Sequence, residues 1–348
     1  MDRNIVSAPA LPPRNAEPAA EARPAGQSPA DVPPATTSKL NHSERLDRPE
    51  RAQPPHAVQR PQRPRELQDP LNFHLYHPLA WQLAKTLART PVTPNMVSVA
   101  GGSLVVLAGI VYARLWSPLP PWPWSALLGM LLHMGWHVVD GADGDLARLK
   151  RISSPLGEMV DGLCDYLSHI VLYLILGWML SQTLGWMAWA LMLAAGLSHI
   201  VQSNHVEVQR RFYMWWVYGT PWLNNARQQN PAELRHGLGW LADVYLRLSA
   251  GMTPHAQQID RAVANAQDDP AALERIRTAV RGEAGPLLRL EKLLGPNPRA
   301  IVLGLSMLAL SPLYYFLYQA VVLNALLVLS IRRHNAAAQR IAAEISHS

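Results

Sequence analysis

The sequence predicts an all-α, polytopic membrane protein with about six transmembrane helices, an N-terminal amphipathic surface helix and a cytoplasmic helical insert. Hydrophobic residues make up 49% of the 348-residue chain, yet the mean hydropathy is only -0.01. The near-zero mean conceals two unlike parts of the chain. Long apolar runs dominate 95–203 and 300–331, whereas 1–68 contains none. A helix of about 20 apolar residues crosses the roughly 30 Å hydrocarbon core of a bilayer, so these runs predict transmembrane helices.

The same segregation divides the chain into four regions. Residues 1–68 are rich in Pro, Ala, Arg and Gln and predict a disordered cytoplasmic tail, because this composition buries too little surface to offset chain entropy. Residues 69–206 hold an amphipathic helix and transmembrane spans 1–4. Residues 207–298 form a charged, cytoplasmic helical insert, and residues 299–348 hold spans 5 and 6 with a C-terminal tail.

The segment before the first apolar run has a helical pattern of its own. Leu75, Leu79, Leu83 and Leu87 recur every four residues within 71–90. The stretch is too polar to cross a bilayer, so it predicts an amphipathic helix lying on the membrane surface.

Cap and turn signals divide the following apolar region into four spans. Thr93 suits an N-cap and Pro94 a first helical position. Ser153–Pro155 and Gly185 mark turns between later helices. The predicted spans cover about 94–114, 124–149, 156–180 and 186–206.

The C-terminal half predicts further helices. Amphipathic patterns at 231–250 and 258–281 indicate short helices in the insert. The final apolar run, 301–331, would be about 46 Å long as one helix, too long for a straight span. Pro312 offers a break, which favours two short, tilted spans. Six spans place every Lys and Arg cluster on one side, and the positive-inside rule makes that side cytoplasmic.

The charge of the chain is explained by the membrane. The formal net charge is +6, which in a soluble protein would suggest an anionic partner such as nucleic acid. Here Lys and Arg flank the apolar runs, so a lipid bilayer is the expected partner and nucleic acid is not. The aromatic run at 212–218 beside Arg210 is typical of an interfacial belt.

Acidic residues in spans 2 and 3 carry the main functional signal. Asp140 and Asp143 are three residues apart and Asp161 and Asp165 are four apart, so each pair shares a helix face. The turn between the spans is short, so the helices are antiparallel neighbours and the four carboxylates converge near the cytoplasmic boundary.

Converging carboxylates need compensation by positive charge. Oxygen ligands favour a hard divalent ion, Mg²⁺ or Mn²⁺, and two ions would roughly neutralise the four carboxylates. Such a site suits a phosphoryl substrate. Small residues and one cation beside the carboxylates fit a nucleotide diphosphate; they are Gly144, Ala147, Arg148 and Gly157.

The stretch from Asp140 to Asp165 reads D-x2-D-G-x2-A-R-x8-G-x3-D-x3-D. This string resembles the signature of the CDP-alcohol phosphotransferase family. All defining positions are present: Asp140, Asp143, Gly144, Ala147, Arg148, Gly157, Asp161 and Asp165. The resemblance extends to the surface helix, the TPN string before span 1 and the six-span plan. It does not cover 1–65, and the insert is longer than compact members are expected to have.

The resemblance implies a transferase of substituted phosphate groups, a CDP-alcohol phosphatidyltransferase, that releases CMP. The implied metal ligands are Asp140, Asp143, Asp161 and Asp165, holding Mg²⁺ or Mn²⁺ as two ions. Asp165 is also the implied general base, which deprotonates the acceptor hydroxyl for attack on the donor β-phosphorus, so its role as a full ligand is in doubt. The implied CDP pocket consists of Gly144, Ala147, Arg148 and Gly157.

The resemblance leaves the donor and acceptor open. We expect transfer from CDP-diacylglycerol to a polar alcohol, such as an inositol or glycerol phosphate, in phospholipid biosynthesis at the cytoplasmic side of the bacterial inner membrane. The string SSPLGEMVDGLCD is also similar to the branch that transfers a phosphoalcohol from a CDP-amino alcohol to a diglyceride. Transfer from CDP-inositol, a ceramide acceptor and a homodimeric assembly also stay open.

Two other functions compete with this hypothesis. A membrane prenyltransferase also uses Asp-rich helices and Mg²⁺, but the Asp-Gly-x2-Ala-Arg string and the lack of a second Asp-rich repeat oppose it. A cation transporter should carry acidic residues nearer the middle of several spans, whereas here they gather at one end of two spans.

Other polar residues in the spans have two interpretations. His133 and His137 have metal-ligand spacing, but packed or hydrogen-bonded histidines are favoured because the carboxylates already account for a metal. His169 is a candidate acceptor contact. Span 4 carries a polar stripe, for which helix–helix hydrogen bonding is favoured over an acceptor site. The stripe consists of Ser198, His199, Gln202 and His205.

Overall fold

The computed structural model describes residues 63–115, 119–221, 247 and 251–347, all of which lie in one unit, 58–348. The described residues are helical and include no strand. The predicted disordered tail falls mostly on residues 1–62, outside the described residues. Its last part, Arg65–Leu67, forms a single 3₁₀ turn.

The predicted surface segment contains a helix. A π-helical turn at Asn72–Tyr76 leads into α1, His77–Leu87. Ala80 and Ala84 are fully buried against α3, whereas Leu79 is exposed. The approach is close, because a Cβ on Gly141 of α3 would lie 3.2 Å from the Ala80 Cβ.

The next four helices match the predicted cap and turn signals. They are α2 Pro94–Ala113, α3 Trp124–Lys150, α4 Pro155–Leu184 and α5 Trp186–Tyr218. The Thr93 side chain accepts a hydrogen bond from the Met96 N–H, and the Ser154 hydroxyl accepts one from the Gly157 N–H. Gly185 turns the chain between α4 and α5 with a φ of 56°, a conformation that favours glycine.

Helix α5 does not end at residue 206, where span 4 was predicted to end. It continues to Tyr218 and buries Phe212, Tyr213 and Trp216. The predicted interfacial belt is therefore wrong for these three side chains, because they form a core with the helices of the insert.

The described part of the insert beyond α5 consists of short helices packed on the end of α5. They are α6 Ala256–Asn265, α7 Pro270–Gly282 and α8 Ala284–Leu294. The predicted helix at 231–250 lies outside the described residues apart from residue 247. Helix α9, Pro296–Leu308, follows and contacts α3.

The last apolar run forms separate helices. After α9 the chain turns at 309–312, where Leu310 has a φ of 60°, and continues as α10, Leu313–Leu317. A π-helical turn at Tyr318–Val322 joins α10 to α11, Leu323–His347. The predicted break near Pro312 is therefore present.

Among the described residues, three helical segments are long and apolar enough to cross a membrane: Pro94–Ala113, Met159–Leu184 and Leu313–Ser346. Helices α3 and α5, of 27 and 33 residues, are longer than α2 but carry charged residues near one end. The complete six-span arrangement stays a prediction.

Candidate active site between α3 and α4

Three aspartates from α3 and α4 meet at one point. Asp140 on α3 and Asp161 and Asp165 on α4 each offer a carboxylate oxygen, and these oxygens lie within 4.8 Å of one another. All three residues are half-buried. Oxygens that share a hard cation lie about 2.0–2.6 Å from it, so oxygens on opposite sides of one ion are separated by about 4–5 Å. The spacing therefore fits a divalent ion.

Asp143 joins the group through Asp161. Its carboxyl is within hydrogen-bonding reach of the Asp161 carboxyl. The Ser98 hydroxyl of α2 donates to Asp143 Oδ2 at 2.6 Å, and both side chains are buried. Ser98 was not recognised from the sequence, because a lone serine in an apolar run carries no signal of its partner. The group Asp140, Asp143, Asp161 and Asp165 is hereafter the carboxylate cluster.

Asp165 is oriented by a tryptophan. The Trp136 indole N–H donates to Asp165 Oδ1 at 3.0 Å. The Asp140 carboxyl is also within hydrogen-bonding reach of Asp165. Trp136 was missed in the sequence, although it lies four residues before Asp140 and therefore on the same face of α3.

Arg148 has a protein partner in this structure. Its guanidinium forms an ion pair with Asp145, one turn earlier on α3, and Arg63 Nη2 lies 3.8 Å from the same carboxylate. Asp145 is buried and is not part of the carboxylate cluster. A phosphate would therefore have to share or replace Asp145 as the partner of Arg148.

Glycines on α3 and α4 leave space at two points. A Cβ on Gly144 would lie 3.4 Å from Arg148 Nη1, so glycine lets the guanidinium lie close to the helix. A Cβ on Gly157 would lie 3.3 Å from Ser154 Oγ and 3.7 Å from Asn95 Oδ1. Gly157 thus faces the start of α2 rather than α3.

The histidines of α3 are packed among aromatic rings. His133 and His137 are buried, and His137 stacks on Tyr76 with ring centroids 5.0 Å apart. His169 contacts Trp136 edge to face, with ring centroids 4.7 Å apart, and its Nδ1 is 2.8 Å from the Asp165 carbonyl oxygen. The structure therefore favours packing for His133 and His137, and it places His169 beside the carboxylate cluster.

The polar stripe of α5 makes hydrogen bonds between helices. Ser198 Oγ accepts from Asn324 Nδ2 at 2.8 Å, and Gln202 Nε2 donates to Asn324 Oδ1 at 2.8 Å. His199 Nδ1 lies 3.1 Å from the Tyr173 hydroxyl, and His205 Nε2 lies 3.0 Å from Ser330 Oγ. The interpretation as helix–helix hydrogen bonding therefore fits all four side chains.

A buried arginine joins this stripe. Arg299 of α9 is only 4% exposed, and it donates to Ser203 Oγ at 2.7 Å and to Gln202 Oε1 at 3.2 Å. Among the described residues it has no ion pair with a carboxylate. Gln202 links it to Gln319, whose amide donates to the Tyr173 hydroxyl at 2.9 Å. This set, centred on Arg299, is hereafter the Arg299 network.

The described residues thus combine helical segments of membrane-spanning length with a carboxylate cluster whose oxygen spacing suits a divalent cation. Residues 91–217, which contain the whole cluster, match the family model of CDP-alcohol phosphatidyltransferase.

Two relatives match part of the chain. The chain is 29% identical over 113 residues to Ethanolaminephosphotransferase 1 of Pongo abelii, covering 29% of this chain and 28% of that protein. It is 40% identical over 79 residues to Choline/ethanolaminephosphotransferase 1 of Arabidopsis thaliana, covering 22% of this chain and 20% of that protein. The matches thus span less than a third of the length of either relative.

Proposed function

We propose that the chain is a metal-dependent CDP-alcohol phosphotransferase that forms a phosphodiester in phospholipid synthesis and releases CMP. The observation that carries the proposal is the meeting of Asp140, Asp161 and Asp165 oxygens within 4.8 Å, inside the segment that matches the family model. A donor set made only of carboxylates suits a hard cation.

The carboxylate cluster is proposed to hold two divalent ions, Mg²⁺ or Mn²⁺. When bound, these ions supply positive charge to the donor diphosphate and to the departing CMP. Asp143 is held in place by Ser98, so its carboxylate does not have to be reoriented on binding. The half-buried Asp140, Asp161 and Asp165 remain accessible to a ligand.

Asp165 is the proposed general base. The Trp136 N–H holds one of its oxygens at 3.0 Å and so sets the plane of the carboxylate. The other oxygen is then directed to take the proton of the acceptor hydroxyl, whose oxygen attacks the β-phosphorus of the donor. Asp165 is thereby less fully committed to a metal than the other members of the cluster.

The proposed CDP pocket uses four residues, Gly144, Ala147, Arg148 and Gly157. Arg148 is exposed enough to exchange its contact with Asp145 for a diphosphate oxygen, because 45% of its side chain is accessible. A guanidinium donates two parallel hydrogen bonds to phosphate, which orients as well as binds it.

Two substrate pairs are candidates. The pair predicted from the sequence is CDP-diacylglycerol with a polar alcohol. The printed names of the two relatives, an ethanolaminephosphotransferase and a choline/ethanolaminephosphotransferase, favour the second pair, a CDP-amino alcohol with a diglyceride. We therefore propose that the second pair be tested first.

The proposed setting is an integral membrane protein with six spans and its carboxylate cluster at the cytoplasmic boundary. Three segments of spanning length support this setting. The basic residues that follow α3 and those beyond residue 331 of α11 fit the same side under the positive-inside rule.

A CMP-release assay tests the proposal. The full-length protein is incubated with CDP-ethanolamine and diacylglycerol, or with CDP-diacylglycerol and glycerol 3-phosphate, in Mn²⁺, Mg²⁺ or a chelator. We expect CMP and a lipid product from one pair, only with metal present. No CMP from any CDP donor, together with Mn²⁺ uptake into vesicles, would instead identify a cation transporter.

A further inference from the structure

A basic cavity lies between α8 and α11 and is formed by residues outside the carboxylate cluster. Its volume is about 310 Å³, and its lining consists of Gly285, Pro286, Arg289, Arg333, Ala336 and Arg340. This volume is at the lower end of the range for small-molecule sites, large enough for a polar headgroup.

The two helices present their arginines to the same space. Pro286 and Arg289 are on one face of α8, and Arg333, Ala336 and Arg340 are on one face of α11. The opposite faces hold the helices together, since Leu287, Leu288, Ala337 and Ala338 belong to one buried core. The cavity is therefore an open groove between two packed helices, and the arginines that line it are exposed.

The positive charge of the cavity is only partly compensated. Arg340 forms two hydrogen bonds with Glu283, from Nε at 2.7 Å and from Nη2 at 2.8 Å, and these bonds lower the pKa of the Glu283 carboxyl. Within the described residues, Arg289 and Arg333 have no carboxylate partner. Both residues are exposed, so each guanidinium is accessible to an anion.

The position of the cavity matches a membrane surface. Helix α11 is apolar from residue 325 to 329 and becomes basic at Arg332 and Arg333. The cavity begins at Arg333, within one turn of the end of the apolar part. Basic pockets at this depth lie at the level of lipid phosphates and attract anionic headgroups.

We propose that this cavity binds the headgroup of an anionic phospholipid, with Arg289 and Arg333 donating to the phosphate. Gly285 lets the Arg289 guanidinium lie against α8, because a Cβ on Gly285 would be 3.5 Å from Arg289 Nε. The proposal needs membrane insertion but does not depend on the proposed transferase activity. It makes the α8–α11 contact a lipid-dependent element of the fold.

Retention of lipid by matched arginine variants tests the proposal. The full-length protein is reconstituted in phosphatidylcholine vesicles that contain phosphatidylglycerol and is then extracted in neutral detergent. Mass spectrometry measures the phosphatidylglycerol retained per protein. The cavity variant is Arg289→Gln with Arg333→Gln. The control, Arg261→Gln with Arg332→Gln, removes the same charge from exposed residues that do not line the cavity.

We expect the cavity variant to retain about 10-fold less phosphatidylglycerol than wild type, because it loses charge-assisted hydrogen bonds to the phosphate. The control should retain as much phosphatidylglycerol as wild type. Equal retention in all three proteins, or an equal loss in the control, would overturn the proposal. Displacement of the lipid by inorganic phosphate at the same concentration would also overturn it, because the site would then recognise a free anion. Arg289→Lys with Arg333→Lys replaces the Gln pair if that pair does not fold, and partial retention is expected from it.

Discussion

The carboxylate cluster and the Arg299 network both hold charge without a counter-ion among the described residues, but they are built differently. The three aspartates that meet are half-buried, and their partners are other carboxylates and, for Asp165, the Trp136 indole N–H. Arg299 is almost fully buried, and its partners are a hydroxyl and an amide within the protein. The first group is accessible to a partner from outside, whereas the second has fixed dipoles within the protein as partners.

The two groups are neighbours. His169 bonds to the Asp165 carbonyl oxygen, and its ring centroid lies 6.4 Å from that of His199, which contacts Tyr173 of the Arg299 network. Proximity alone therefore does not separate site from scaffold. The two groups are separated instead by whether a partner from outside can reach the charge. We therefore expect variants of the cluster to change chemistry and variants of the network to change stability.

The largest effect is expected for Asp161→Asn, which removes a charged ligand from the centre of the cluster. CMP release should fall more than about 1000-fold, because metal stabilisation of developing charge contributes several kcal/mol. Mn²⁺ binding, followed by electron paramagnetic resonance, should weaken as well. Asp145→Asn is the matched control on α3, and it should keep Mn²⁺ affinity. Near-normal turnover by Asp161→Asn would refute the metal assignment.

Gln202→Leu should act on stability instead. It leaves a guanidinium donor of Arg299 without its acceptor, which costs about 1–3 kcal/mol for a buried group. The melting temperature in detergent should fall, while Mn²⁺ affinity stays unchanged. Gln182→Leu, at an exposed position of α4, should leave the melting temperature nearly unchanged. A loss of Mn²⁺ affinity in folded Gln202→Leu would erase the distinction between the two groups.

Arg148→Ala sharpens the boundary of the proposed site. Loss of one charge-assisted contact to the diphosphate should raise the KM for the CDP donor about 10-fold, with little change in the KM for the acceptor. Steady-state kinetics with each substrate varied in turn provides the measurement. Equal changes in both KM values would show that Arg148 acts through the fold of α3 rather than on the donor.

Trp136→Phe should have the smallest effect. It keeps the ring packing on His169 but removes the N–H that orients Asp165, so kcat should fall roughly 5- to 10-fold, with the donor KM preserved, for one hydrogen bond to a charged group. The control is Trp178→Phe, an exposed residue of α4. A rise in the donor KM without a change in kcat would contradict the positioning role of Trp136.

The parts predicted from the sequence are those that depend on near neighbours in the chain. Asp140 and Asp161 meet because a short turn joins α3 and α4, and the caps at Thr93 and Ser154 are local hydrogen bonds. Helix spacing alone determines which aspartates share a face.

The contacts that were missed join distant parts of the chain. Ser98 reaches Asp143 from another helix, and Arg299 reaches Gln202 across 97 positions. The burial of Trp216 was mispredicted because an aromatic run has the same composition at a bilayer interface and in the core of a small helical unit. Only the arrangement of the insert distinguishes these two environments.

The continuity of α5 has a mechanical consequence. At 33 residues it is a single rod about 50 Å long, with the polar stripe near its middle and the core of the insert at its end. A displacement of the insert would therefore be transmitted along one continuous helix to the contacts that α5 makes with Tyr173 and Arg299. Tilting α5 by a few degrees would shift His199 relative to His169, which lies beside the carboxylate cluster.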